Sequence, residues 1–187
     1  MYLFFDTETN GLPTAGNSIV ERYPRVIQLA YIHYDRDFNE TERFCALIKP
    51  NGWTIPTEKF WIDNGYSTEN NAKFGIPMEN ALYNFITMMK RSQYLVAHNM
   101  AFDNPVMGAE MLRYNILPYC KPEKICTMKS TTEFVGAINK SGRPKWPRLD
   151  ELHMKLFGVG FENAHDALAD VEATARCFRE LRKRNLI

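Results

Sequence analysis

No apolar run in this 187-residue chain approaches the roughly 20 residues needed to cross a bilayer, so a helical membrane anchor is not expected. Met1 leads straight into a strand-like run, and no signal peptide is expected. The four cysteines, Cys45, Cys120, Cys126 and Cys177, lack the paired spacing of a zinc site or a disulfide framework. Reduced thiols and a cytoplasmic location are the plain expectation. No strong charge of either sign is present: the formal net charge is +1, so the chain is not a polycation that coats nucleic acid. Internal repeats, low-complexity tracts and linkers are also missing, and one domain over 1–187 is expected. What remains, 45% apolar and 24% charged residues, is ordinary for a globular protein with a self-sufficient core.

The informative feature lies at the start. Tyr2-Leu3-Phe4-Phe5 runs directly into Asp6-Thr7-Glu8, followed by the turn formers Asn10-Gly11-Leu12-Pro13. Strand side chains alternate, so Asp6 and Glu8 share a face. Two converging carboxylates repel unless a cation lies between them, and hard oxygen ligands suit Mg²⁺ or Mn²⁺. Alone, such a pair is more often a solvated strand end. Two later segments change the balance. Tyr94-Leu95-Val96-Ala97-His98-Asn99 leads to Asp103, and His165 stands five residues before Asp170 at the start of the last helix. Four acids and a histidine, each at the end of an element, form the layout of a two-metal phosphoryl-transfer site.

In these segments the chain resembles the DEDD exonucleases, in the DnaQ-like 3′→5′ branch with a histidine in the third motif. Phe5-Asp6-Thr7-Glu8-Thr9 matches the first motif, His98-Asn99-Met100-Ala101-Phe102-Asp103 the second, and His165 with Asp170 the third. Cys126-Thr127-Met128-Lys129 and Arg148-Leu149-Asp150-Glu151-Leu152 are similar to the family's linking segments. The stretch from Trp53 to Pro77 departs from the family's compact helical signature, which bears on substrate preference more than on chemistry.

The resemblance implies an α/β, ribonuclease H-like fold with a five-stranded mixed sheet flanked by helices. It also implies a metal-dependent 3′→5′ exonuclease releasing nucleoside 5′-monophosphates from single-stranded or frayed DNA. An RNA-trimming or oligoribonuclease-like enzyme and a polymerase proofreading subunit are the alternatives. A single-stranded 3′ end is the expected partner, and a homodimer or a polymerase contact is compatible with it.

Two divalent ions, Mg²⁺ or Mn²⁺, are expected on Asp6, Glu8, Asp103 and Asp170. An imidazole is a group suited to proton transfer at neutral pH, and His165 is expected as general base and beside the substrate. His33 is read as core packing, His98 as non-catalytic, and His153 as mid-helix without a partner. For the terminal nucleotide, Leu12 is implied as a wedge, Phe102 as a stacking or packing group, Asn99 as a sugar or phosphate contact, and the amides of Thr7 and Thr9 as facing the 3′ hydroxyl. Leu12 and Phe102 read equally well as core residues.

Periodicity places strands over 2–7, Val26–Tyr34, Thr41–Ile48, Leu95–Ala97 and Lys124–Cys126. Helices are expected to open at Pro77 and at Asn104-Pro105, with Asp103 as the cap of the second, and to cover Leu149–Phe157 and Asp166–Arg184. Asp166 is read as a cap rather than a ligand. Lys140 to Arg148, four cations around Trp146, is expected to be a mobile loop. It is equally a solvated basic loop or a backbone track with a stacking surface.

Overall fold

A computed structural model describes residues 1–187. In chain order the elements are β1 (Tyr2–Thr9), α1 (Ile19–Arg22), β2 (Val26–Tyr34), β3 (Glu40–Leu47), α2 (Lys59–Asp63), α3 (Thr68–Phe74) and α4 (Met78–Arg91). Then follow β4 (Tyr94–Ala97), α5 (Met100–Arg113), β5 (Glu123–Cys126), α6 (Thr127–Ser130), α7 (Thr132–Val135), α8 (Leu149–Phe157) and α9 (Ala167–Lys183). The five strands form one sheet in the order β3-β2-β1-β4-β5. β1–β2 and β2–β3 are antiparallel, while β1–β4 and β4–β5 are parallel. This is the expected mixed sheet, with β1 in the middle.

The alternation along β1 sorts its side chains between two layers. Leu3 and Phe5 join Leu82 and Phe85 of α4 and Val106 and Met107 of α5 in the larger core. Tyr2 and Phe4 join Val171 and Phe178 of α9 on the other face. Each large apolar side chain fully buried here contributes roughly 1.5–3 kcal/mol. Asp6 and Glu8 continue the α9-facing row beyond Phe4, which puts both acids against the start of α9. At the sheet's edge β3 carries exposed Glu40, Glu42 and Arg43, charges that discourage pairing with another chain.

β1 runs to Thr9 rather than ending at residue 7, because its pairing with β2 persists to Thr9↔Val26. Its parallel pairing with β4 stops at Phe4↔Val96, which leaves that side of residues 6–9 open. The helix expected from Pro77 begins one residue later, with Pro77 as cap. Its apolar residues at helical spacing, Ala81, Leu82, Phe85, Ile86 and Met89, are all buried.

The helix expected from Asn104 starts at Met100, so Pro105 lies inside it and Asp103 is a first-turn residue, not a cap. Pro105 lacks only the amide that would reach Ala101, a cost that tertiary packing absorbs. Leu112, on the same helix as buried Val106, Met107 and Met111, is 45% exposed. Asp166 does cap α9, accepting from the amides of Leu168 and Ala169.

Candidate active site

Three elements deliver the acids. Asp6 and Glu8 stand on the last turns of the β1 pleat. Asp103 comes from the first turn of α5 over the open side of β1, where the amide and hydroxyl of Thr7 both donate to its Oδ1, at 3.2 and 2.8 Å. Asp170 lies in the first turn of α9 and accepts the amide of His165 at 3.4 Å. Ligand atoms of Glu8, His165 and Asp170 all lie within 4.8 Å of one another. Asp6 and Asp103 border this triad and share its electrostatic field.

That field is strong. Burial, and then repulsion from Asp103, Asp170, Glu8 and Asp166, holds the Asp6 carboxyl well above the ordinary range. Burial, with Asp170, Asp103 and Asp166 adding to it, pushes Glu8 up to about 8. Asp103 is pushed by burial to about 7 despite its two Thr7 donors. Asp170 rises to about 6 through burial, opposed by the His165 amide and aided by Asp166 and Asp150. Without a cation such a cluster stores protons; a divalent ion would replace them. An all-carboxylate set with one imidazole at its rim is a donor set that hard divalent cations favour.

His165 is exposed and adopts a left-handed backbone, φ 74°. Non-glycine residues pay for that conformation, and it persists where neighbours enforce it. Here the neighbours are residues that sequence reasoning missed. The hydroxyl of Tyr66 lies 3.0 Å from the His165 carbonyl and 2.6 Å from Oε1 of Gln28. Gln28 in turn accepts the amide of Ala167 and donates to Asp166. The Phe60 ring stands edge-on to the His165 ring at 5.3 Å. Trp61 donates from Nε1 to the carbonyl of Thr9 at 3.0 Å, and Asn10 donates to the carbonyl of Thr54. The 53–77 stretch thus forms one wall of the site. Gly75 secures its far end, since a Cβ there would lie 2.4 Å from the Asn71 carbonyl oxygen. One signal was available: Gln28 is a polar residue inside an otherwise apolar strand, and such a residue must find partners.

The expected substrate residues divide. Leu12 is 77% exposed and is no core residue. Phe102 is half-buried and packs against the larger core. Asn99 is exposed, with its carbonyl holding the amides of Phe102 and Asp103. The hydroxyl of Thr9 is taken by the Gly11 carbonyl. The Thr7 amide donates to Asp103. His33 is packed in the core as expected. His98 is buried between Thr127 and the Pro147 carbonyl. His153, read as partnerless, bonds through Nδ1 to the Val159 carbonyl at 2.8 Å, a partner beyond the helix end.

A ribonuclease H-like sheet with carboxylates converging on the end of its central strand defines a nuclease domain. The model of the RNase T family, described as exonuclease, matches residues 3–178. The chain belongs to this exonuclease family, among the DEDD-type, DnaQ-like 3′→5′ exonucleases, whose members depend on a divalent metal. It is 30% identical over 175 residues to DNA polymerase III PolC-type of Streptococcus thermophilus, covering 94% of this chain and 11% of that protein. To the PolC-type protein of Streptococcus mutans it is 29% identical over 177 residues, again spanning 11% of it. E. coli Exonuclease I in complex with a dT13 oligonucleotide superposes with a TM-score of 0.79 at 22% identity, over 98% of this chain and 41% of that one. Exonuclease I from Methylocaldum szegediense gives 0.75 at 23% identity, over 98% and 40%. These two likenesses establish the fold. No helix is long and apolar enough to cross a membrane.

Proposed function

We propose that the chain removes nucleotides from the 3′ end of single-stranded or frayed DNA as nucleoside 5′-monophosphates. The observation that carries this reading is the convergence of four carboxylates, all raised by burial, with His165 at their exposed rim. Asp6, Glu8, Asp103 and Asp170 would hold two divalent ions, Mg²⁺ or Mn²⁺. When bound, such ions neutralise phosphoryl and leaving-group charge and acidify water. Thr7 fixes Asp103 through two donors. His165 takes the proton of the attacking water on its imidazole and passes it to solvent, which its exposure permits. Leu12, on the exposed turn after the acids, offers apolar surface to the terminal base and reads no hydrogen-bonding edge. The oligonucleotides in the Exonuclease I structures support single-stranded DNA as substrate. The four unpaired cysteines support a reducing, cytoplasmic setting.

The test is product analysis on 3′- and 5′-labelled DNA and RNA oligonucleotides. Mononucleotides released from the 3′ label, lost in chelator and restored by Mg²⁺ or Mn²⁺, are expected. Release from the 5′ end, or undiminished activity in chelator, would overturn the reading. The PolC-type relatives favour a second reading, in which the same activity excises polymerase errors. Faster removal of a mismatched than a matched primer terminus, together with co-purification with a replicative polymerase, would support it.

A further inference from the structure

Between α7 and α8 the chain makes a turn closed by backbone hydrogen bonds. The Lys145 amide donates to the Ala137 carbonyl, and the Asn139 amide to the Arg143 carbonyl. Of the four cations around Trp146, two are paired, Lys145 with Glu151 and Arg148 with Asp150. Those pairs clamp both sides of Trp146. Trp146 is nevertheless 61% exposed, the state of a large aromatic residue that the core has not absorbed. The next residue, Pro147, accepts a hydrogen bond from Nε2 of His98 at 3.0 Å, which ties Trp146 to the turn that launches Asp103. Met128, beside Lys129, donates its amide to the His98 carbonyl at 3.0 Å, so Lys129 and this turn both lie against the segment that leads to Asp103. Phe60 stands on the His165 side of the cluster. The ammonium of Lys129 lies 6.0 Å from the Trp146 ring centre, and Lys129, Lys140 and Arg143 form no ion pair.

We infer that Trp146 is a base-stacking station for a nucleotide upstream of the scissile bond, with Lys129, Lys140 and Arg143 meeting the adjacent phosphates. The inference rests on the proposed action on a single strand. A rigidly mounted, exposed indole among unpaired cations has the composition of a single-strand platform: stacking accepts any base, and the cations follow the backbone. The turn is held by hydrogen bonds on both flanks, so the ring does not have to be ordered when the strand arrives, which favours affinity.

The experiment measures binding of 5′-fluorescein oligothymidylates ending in a 3′ phosphorothioate linkage, with Mg²⁺ present, to wild type, Trp146→Ala and Trp146→Phe. A single abasic site is walked along the strand. Trp146→Ala should bind the intact strand about 5- to 150-fold more weakly, the factor that one base stacked on an aromatic ring provides. Trp146→Phe should recover most of the loss. In wild type one abasic position should weaken binding sharply; in Trp146→Ala the same lesion should add nothing. Equal binding by wild type and Trp146→Ala, or identical abasic profiles in both, overturns the station while leaving the exonuclease reading intact. A wild-type protein that binds no single strand and releases no nucleotide overturns both. Because the ring is exposed, urea midpoints of the three proteins should coincide; a lower midpoint for Trp146→Ala would assign Trp146 to the fold instead.

Discussion

Asp103→Asn should make the metal-free protein more stable and the enzyme inactive. Asp103 is 3% exposed, and burial lifts its carboxyl from 3.8 to about 7. A carboxyl raised in the folded state keeps its proton where the unfolded chain has released it. The folded state then binds more protons than the unfolded one, so stability falls as pH rises from about 4 to about 7. A shift of about three units at about 1.4 kcal/mol each gives a cost on the order of 4 kcal/mol above pH 7, and under half of that at pH 5. Asparagine is isosteric, never ionises, and its Oδ1 accepts the same two Thr7 donors. In chelator at pH 8 the variant should therefore gain on the order of 4 kcal/mol, or about 8–16 °C in Tm for a chain of this size. The gain should shrink at pH 5. Urea unfolding in chelator at the two pH values measures it, and a nuclease assay with Mg²⁺ measures the lost activity. Mg²⁺ should stabilise wild type more than the variant, and increasingly so as pH rises. A variant less stable than wild type at pH 8, or a wild type that gains stability between pH 5 and 8 without metal, would refute the account of a buried carboxylate cluster awaiting a cation.

His165→Ala should lose about 10²–10⁴ in kcat while keeping metal affinity, the signature of a lost general base. Asp6→Asn should lose both, as calorimetric titration of metal with a nucleoside monophosphate would show; equal loss of affinity in the two variants would make His165 a ligand, as its place beside Glu8 and Asp170 allows. Tyr66→Phe deletes the hydroxyl that holds the His165 carbonyl and Gln28. It should lower kcat with little change in KM and cost about 0.5–1.5 kcal/mol in urea unfolding; unchanged kcat would show that the left-handed turn at His165 stands without it. Glu110, 1% exposed, joins α5 to β2 by accepting from Arg25, Arg113 and the Val26 amide. Glu110→Ala should cost roughly 3–5 kcal/mol, because Arg113 is left buried without its counter-charge, and a loss under about 1 kcal/mol in denaturant titration would contradict this.

The parts of this fold legible in the sequence are those whose physics is local. Asp6 and Glu8 fall on one face because a strand alternates, whatever surrounds it. The apolar stripes of α4 and α9 repeat at helical spacing and show themselves for the same reason. The helices that escaped, α1, α2, α3, α6 and α7, have four to seven residues, too few to display a period. Distant contacts hold them: Trp61 of α2 reaches the Thr9 carbonyl, and Asn71 of α3 donates to the carbonyls of Ile27 and Ile48. Asn104-Pro105 reads as the start of α5 because a proline suits a first turn, whereas the helix begins at Met100 and accepts the proline in its interior.

The candidate site divides along the same line. Its acids are read from the chain because each sits at an element end, in order and at recognisable spacing. The shell that shapes them cannot be read that way, since Gln28 meets Asp166 and Ala167 across 138 and 139 residues, and Tyr66 meets His165 across 99. Only a buried glutamine in an apolar strand hinted that such partners exist. Chemistry that depends on one residue type at one place survives translation into sequence. Positioning that depends on which surfaces meet does not, and here it is supplied by the 53–77 stretch through Phe60, Trp61 and Tyr66. Substrate preference should therefore follow Phe60, Trp61 and Tyr66 more closely than any of the four acids: exchanging 53–77 for the corresponding segment of a relative should change which strands are cut while the metal requirement stays the same.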